Sequence, residues 1–236
     1  MTATPELQIL LPIHSEGESI SGTIREIYDV ISPIARAEFI LCEDGSKDNT
    51  KEVLREVAET VPAKLLLSDA RKGYSRAVRD GMAELTAPFL LCLDSDGQCD
   101  PADFTEFWKH RNDVDVLIGW RVKRADTILR RVMSRTFLGA WKSLFRAPIH
   151  DPSCPFMLAR KEVIRNVSPK MGAMHEGFWW EFSARVTRAG YSIREIPVHH
   201  RNRAVGVTQV YRLKKLPRIG YLHFLALFQI LRETRP

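Results

Sequence analysis

Two aspartates, Asp94 and Asp96, follow a run of apolar residues, and Gln98 comes two positions later. Carboxylates at i and i+2, on a chain that is leaving a sheet, can converge on one hard cation. A glutamine can add a neutral oxygen. Mg²⁺ and Mn²⁺ take such ligands together with waters and substrate phosphates. Alone the pattern says little, because acidic loops after strands are common. It gains weight because two more acidic groups end apolar runs in the same way. Glu16 follows Pro12-Ile13-His14-Ser15, and Glu43-Asp44 precedes Gly45-Ser46-Lys47-Asp48.

Alternating segments must position these groups. Residues 7–13 are apolar, and Ile20, Ile24, Ile27 and Ile31 then recur every three or four positions, the helical period. Residues 39–42 read as a second buried strand, and Asp48 caps a helix to about residue 60. A third strand over 64–68, a helix over 74–85 and a fourth strand over 89–93 follow. A short helix over 101–110 then leads to an apolar run over 114–119. The alternation predicts an α/β fold, a mostly parallel sheet flanked by helices on both faces. In such folds ligands bind at the carboxyl ends of the strands, where all three acidic groups fall.

The 236 residues are 44% hydrophobic and 27% charged, with 13 Gly and 13 Pro, which excludes a disordered or collagenous chain. No run approaches the roughly 20 apolar residues of a spanning helix. The N-terminus shows no basic and apolar regions of a secretory signal. Cys42, Cys92, Cys99 and Cys154 lack zinc or redox spacing, and three lie in or beside apolar runs. A reducing, cytoplasmic compartment is expected.

The net charge of +6 is uneven. Residues 121–146 and 201–236 each carry eight Lys/Arg against one acidic residue, leaving an acidic remainder. That points to a defined anionic partner. Nucleic acid is not expected, since aromatic residues do not interleave with the arginines and no nucleic-acid-binding signature occurs. Over 128–145, apolar pairs repeat every four positions with basic residues between them. This fits an interfacial membrane helix or a core-packing helix with a wet basic side. The tail repeats the theme, with a basic run over 212–218 before the apolar 221–231; a membrane surface or a neighbouring subunit would suit it.

The order of the short elements is more specific than any one of them. Pro12-Ile13-His14-Ser15-Glu16, Cys42-Glu43-Asp44-Gly45-Ser46 and Arg71-Lys72-Gly73 precede Asp94-Ser95-Asp96-Gly97-Gln98. Gly119-Trp120-Arg121, Asp151-Pro152-Ser153-Cys154-Pro155-Phe156 and Phe178-Trp179-Trp180-Glu181-Phe182 follow, then Arg201 or Arg203 with Gly206. Over about residues 7–210 this series resembles the inverting family 2 glycosyltransferases of the GT-A fold, and in particular their dolichol-phosphate mannose synthase-like, polyprenyl-phosphate branch. The chain departs from the usual pattern at His14-Ser15, Glu43, Cys154-Pro155 and Val207-Thr208-Gln209. Those positions bear on sugar, base and acceptor more than on reaction type.

The resemblance implies a Rossmann-like GT-A catalytic domain over 1–210, with 211–236 as a basic and apolar helical tail. It implies transfer of a sugar from a nucleotide diphosphate sugar to a polyprenyl phosphate at the cytosolic membrane face. Pro12, His14, Glu16, Glu43, Asp44, Gly73, Ser95 and Arg203 are then expected around the nucleotide sugar. Asp94, Asp96 and Gln98 would hold Mg²⁺ or Mn²⁺, with Arg121 on a phosphate. A phosphate monoester is already dianionic near neutrality and needs cations rather than a base; Arg131, Ser134, Arg201 and Arg203 are the candidates. A hydroxyl acceptor would need a general base, for which Glu176 or Glu181 is available, although Glu181 also has Arg185 at i+4. Two rival functions are a transferase acting on a saccharide or small-molecule hydroxyl, and a catalytically silent or anionic-polymer-binding protein. A homo-oligomer is compatible with either.

Overall fold

The computed structural model describes residues 4–122, 128–174, 176–201 and 216–233, with side chains outside 128–135 and 216–218. Its centre is a seven-stranded sheet of order β3-β2-β1-β4-β6-β5-β7. The strands are β1 (Leu7–Ile13), β2 (Ala37–Glu43), β3 (Ala63–Leu67), β4 (Phe89–Cys92), β5 (Val116–Arg121), β6 (Met157–Arg160) and β7 (Ile193–Val198). β1 pairs in parallel with β2 and β4, β2 with β3, and β5 with β7. β6 runs antiparallel to both β4 and β5. The expected mostly parallel α/β architecture is therefore what forms.

Every residue of β1 is buried, as expected for a central strand covered on both faces. That includes Gln8, whose carbonyl oxygen accepts from the backbone N–H of Thr86 (2.7 Å) and Ala87 (3.1 Å), anchoring the loop that enters β4. The helices are α1 (Ile20–Ile31), α2 (Thr50–Ala58), α3 (Tyr74–Ala83), α4 (Phe104–Lys109), α5 (Ile128–Phe145), α6 (Lys161–Val167), α7 (Phe178–Ala189) and α8 (Leu216–Arg232). α1 buries Ile20, Ile24, Ile27 and Ile31, the stripe its period predicts. Asp48 Oδ1 accepts from Thr50 N–H at 3.2 Å and so supports the start of α2, but the N-cap position expected of Asp48 is held by Asn49 and the helix ends at Ala58. Pro101 opens a single 3₁₀ turn, so the helix expected from 101 begins as α4 only at Phe104.

A second, smaller core joins α5, α7 and α8, built on Trp141, Phe145, Met174, Ala184, Leu227 and Ile230. Trp141 is fully buried and its Nε1–H donates to Trp180 O at 3.3 Å. In the described half of α5, the core-packing reading of its apolar pairs is therefore the one realised. No helix among the described residues is long and apolar enough to cross a membrane.

Candidate active site

β1 and β4 are neighbours, yet β1 leads to β2 on one side while the rest of the sheet grows from β4 on the other. The crevice beyond their carboxyl ends is the switch point where ligands of open α/β sheets bind. One bond ties its two lips: Ser95 Oγ–H donates to Pro12 O at 2.7 Å.

On the β1 lip the chain turns sharply. Ser15 has φ +55°, a left-handed conformation that costs a non-glycine residue energy. Two bonds hold the turn, from Ser15 N–H to Ser46 Oγ (2.8 Å) and from Glu16 N–H to Thr50 Oγ1 (3.0 Å). His14 and Glu16 are half-buried here. The Nδ1 atom of His14 is buried with no hydrogen-bond partner, and a buried polar atom of that kind suits a ligand.

At the end of β2, Glu43 and Asp44 are both buried. Glu43 accepts from Ser46 N–H and, at 3.3 Å, from Ser68 N–H, with Lys51 Nζ at 3.8 Å. Burial pushes its carboxyl up, but these hydrogen bonds outweigh it and the net shift is downward. Asp44 accepts from Lys72 N–H at 2.5 Å and from Gly73 N–H at 2.9 and 3.0 Å. It fixes the loop that opens α3. Gly45 must be glycine: at φ +65°, a Cβ would lie 2.3 Å from the carbonyl carbon of Ala70.

Asp94 and Asp96 leave β4 into the crevice, both half-buried. Tyr74, the first residue of α3, donates its hydroxyl to Asp94 Oδ1 at 2.8 Å and accepts from Trp179 Nε1–H of α7 at 2.7 Å. Asp96 Oδ1 accepts from Gln98 N–H at 3.1 Å. Gln98 Nε2 donates to Arg201 O at 3.3 Å, and Arg201 N–H to Gln98 O at 2.8 Å, lacing this turn to the segment after β7. The carboxylates of Asp94 and Asp96 and the amide oxygen of Gln98 are hard oxygen donors of the kind that Mg²⁺ or Mn²⁺ takes, carried on one turn. Among the described residues no cluster of three or more His, Cys, Asp or Glu is arranged around an ion.

The other expected residues are placed less uniformly. Arg121 is a half-buried clamp, with Nε and Nη2 donating to the two oxygens of Asp151 (2.7 and 3.0 Å) and Nη2 also to Ser153 Oγ (2.9 Å). Asp151 N–H donates in turn to Glu195 at 2.7 Å. Arg201 spans Glu26 (2.6 Å) and Asp100 (2.8 Å), so its charge is already matched by carboxylates. Arg203 lies outside the described residues, and only the backbone of α5 is described at Arg131 and Ser134. Glu181 is fully buried and accepts from Gly172 N–H (3.0 Å), Ala173 N–H (3.1 Å), Met174 N–H (2.7 Å) and Arg185 Nε–H (2.8 Å). Glu176 is exposed just before α7.

Sequence reasoning did not single out Tyr74 as the partner of Asp94, or Trp179 as the partner of Tyr74. The available signal was an aromatic residue directly after Gly73, in a helix that starts beside the site.

The glycosyl transferase family 2 model matches residues 8–169. The dodecaprenyl-phosphate galacturonate synthase of Rhizobium johnstonii is 28% identical over 210 residues, 86% of this chain and 61% of that protein. The dolichyl-phosphate hexose transferase of Haloferax volcanii is 26% identical over 203 residues, 84% of each chain. The glucosyl-3-phosphoglycerate synthase of Mycobacterium tuberculosis, in complex with Mn²⁺, uridine-diphosphate-glucose and phosphoglyceric acid, superposes with a TM-score of 0.67. That match has 17% identity and covers 97% of this chain and 80% of that one, which shows the shared fold. The matched segment takes in both lips of the crevice and the Asp94 turn: the chain belongs to glycosyl transferase family 2.

Proposed function

We propose that this protein transfers a sugar, with inversion, from a nucleoside diphosphate sugar to a polyprenyl phosphate. An acceptor phosphate oxygen attacks the anomeric carbon as the bond from that carbon to the donor diphosphate breaks. The bonding pair leaves with the nucleoside diphosphate. Asp94 and Asp96, with Gln98, would hold Mg²⁺ or Mn²⁺ against that diphosphate. When bound, the cation supplies Lewis-acid assistance to the leaving group. Tyr74 orients the Asp94 carboxylate. His14, Glu16 and the Asp44 loop line the nucleoside side, with Nδ1 of His14 left to hydrogen-bond the base or ribose.

The observation that favours a phosphate acceptor over a hydroxyl is the state of Glu181, the buried one of the two candidate bases. Its oxygens are taken by three backbone N–H groups and an arginine, so it acts as a structural anchor rather than a proton acceptor. A phosphate monoester needs no base. The lipid-phosphate names of the two relatives point the same way. In this reading residues 1–210 are the catalytic domain and 211–236 a tail. The protein works at the cytosolic face of a membrane, where its four unpaired thiols would stay reduced.

The test is to incubate the purified protein with labelled UDP- and GDP-sugars and a polyprenyl phosphate, with Mn²⁺ or with chelator. The expected result is one labelled glycolipid for one donor, formed only with metal. Transfer to free saccharide with none to the lipid phosphate would replace this reading with a hydroxyl transferase.

A further inference from the structure

Helix α8 is buried on one side only. Ala226, Leu227 and Ile230 are buried in the second core, whereas Tyr221, Leu222, Leu225 and Phe228 are 64%, 48%, 49% and 50% exposed. These are four of the seven large hydrophobic residues exposed among the described residues, so they form a patch rather than scatter. At 3.6 residues per turn they fall on a single stripe. Arg232 lies on that stripe by register at one end, and position 218, an arginine, lies on it at the other. No Asp or Glu occurs in Leu216–Arg232, and the run just before it adds Arg212, Lys214 and Lys215.

We propose that this face of α8 is a docking surface for an anionic lipid bilayer, lying in the interfacial plane with its apolar stripe in the acyl boundary. The helix is not long and apolar enough to cross, and an apolar stripe between basic ends is the pattern of a helix that lies on a membrane. Each Lys or Arg near an anionic surface raises partition about fivefold. A second copy of the chain fits this face poorly. Pairing the stripe about a two-fold axis sets arginine against arginine whether the helices run parallel or antiparallel, and the face offers no carboxylate to match them.

The inner side of α8 leads toward the crevice. A Cβ on Gly177 would lie 2.9 Å from His223 Cε1, so His223 packs directly against the residue before α7. The first turn of α7 carries Trp179, which reaches Asp94 through Tyr74. A bilayer on the outer face of α8 would thus lie one helix away from α7, whose first turn reaches the Asp94 turn. The purpose of this surface rests on the lipid-phosphate reading, but the surface itself does not.

The test is flotation of the full chain with vesicles of phosphatidylcholine alone or mixed with phosphatidylglycerol. The wild type should float with the anionic vesicles, and added salt should weaken it. Leu225→Glu combined with Phe228→Glu should cut partition at least tenfold, while Leu67→Glu, an exposed hydrophobic on β3, leaves it unchanged. Arg232→Gln, which alters no packed residue of the second core, should cut it severalfold and guards against misfolding of the double variant. No binding to anionic vesicles, or binding that the α8 variants do not change, overturns the proposal. So does a concentration-dependent dimer, abolished by the double variant, in a protein that ignores vesicles.

Transfer to a water-soluble, short-chain prenyl phosphate without membranes separates the two readings. The double variant should keep wild-type turnover there. Turnover without vesicle binding removes the docking surface alone, and vesicle binding without turnover removes the proposed acceptor alone.

Discussion

The Tyr74 hydroxyl donates to Asp94 Oδ1 at 2.8 Å. Because the Tyr74 hydroxyl oxygen also accepts from Trp179 Nε1–H at 2.7 Å, the start of α3, the turn after β4 and the start of α7 meet at one phenol. A carboxylate held by such a partner presents a fixed face to a cation, and partners of that kind tune metal affinity.

Tyr74→Phe removes both bonds and leaves Trp179 without this acceptor. The expected cost is about 1–3 kcal/mol of stability, read as a lowered melting temperature. Metal should bind about tenfold more weakly in a thermal-shift titration. A variant with unchanged metal affinity would reduce Tyr74 to a packing residue.

Glu181→Gln tests the anchor against the base. The substitution strips one of the two carboxylates that face Arg185, Glu233 being the other, and turns an amide N–H₂ toward backbone donors, which costs about 1–3 kcal/mol. The variant should melt lower and yet transfer sugar to lipid phosphate at close to the wild-type rate in the cold, where it stays folded. A collapse of kcat in a variant that melts normally would make Glu181 catalytic.

Arg121→Lys should also destabilise, because an ammonium cannot make the forked pair with Asp151 that the guanidinium makes. The expected loss is roughly 2 kcal/mol, with the donor KM changed little. A large rise in donor KM at unchanged stability would restore the phosphate contact that sequence comparison suggests.

Glu43 gives the pH dependence. Its folded-state pKa is lowered, so its contribution is complete above the ordinary carboxylate value of about 4.3. The contribution fades as pH falls through the lower folded-state value. Glu43→Gln should therefore melt below the wild type at neutral pH, and the gap should narrow steadily in acid. A gap that widens in acid would contradict the assigned direction.

Much of this geometry was legible in the residues themselves. β1, β2 and β4 are mostly apolar runs, broken only by Gln8 in β1 and Glu38 in β2 before the acidic residues Glu16, Glu43-Asp44 and Asp94 that follow or end them, as buried strands of a parallel sheet are. β6 escaped the reading, since Met157–Arg160 is four residues long and its antiparallel place between β4 and β5 follows from no local period. Tyr74 with Trp179 and Arg121 with Asp151 also escaped, because partners 105 and 30 positions apart meet only through the tertiary fold. Helix α5 shows the remaining ambiguity. A row of Phe137, Trp141 and Phe145 reads alike for a membrane and for a core, and here it packs on Trp180 and α8.

The metal-bound donor is tested by thermal unfolding of the wild type and Asp96→Ala with nucleotide sugar, with and without Mn²⁺. Ligand at a hundred times its Kd adds about 2.7 kcal/mol, so the wild type should shift by several degrees only when both metal and donor are present. Asp96→Ala should show no metal-dependent shift. An undiminished shift in that variant would mean that the cation sits elsewhere and that Asp94 and Asp96 do not hold the donor.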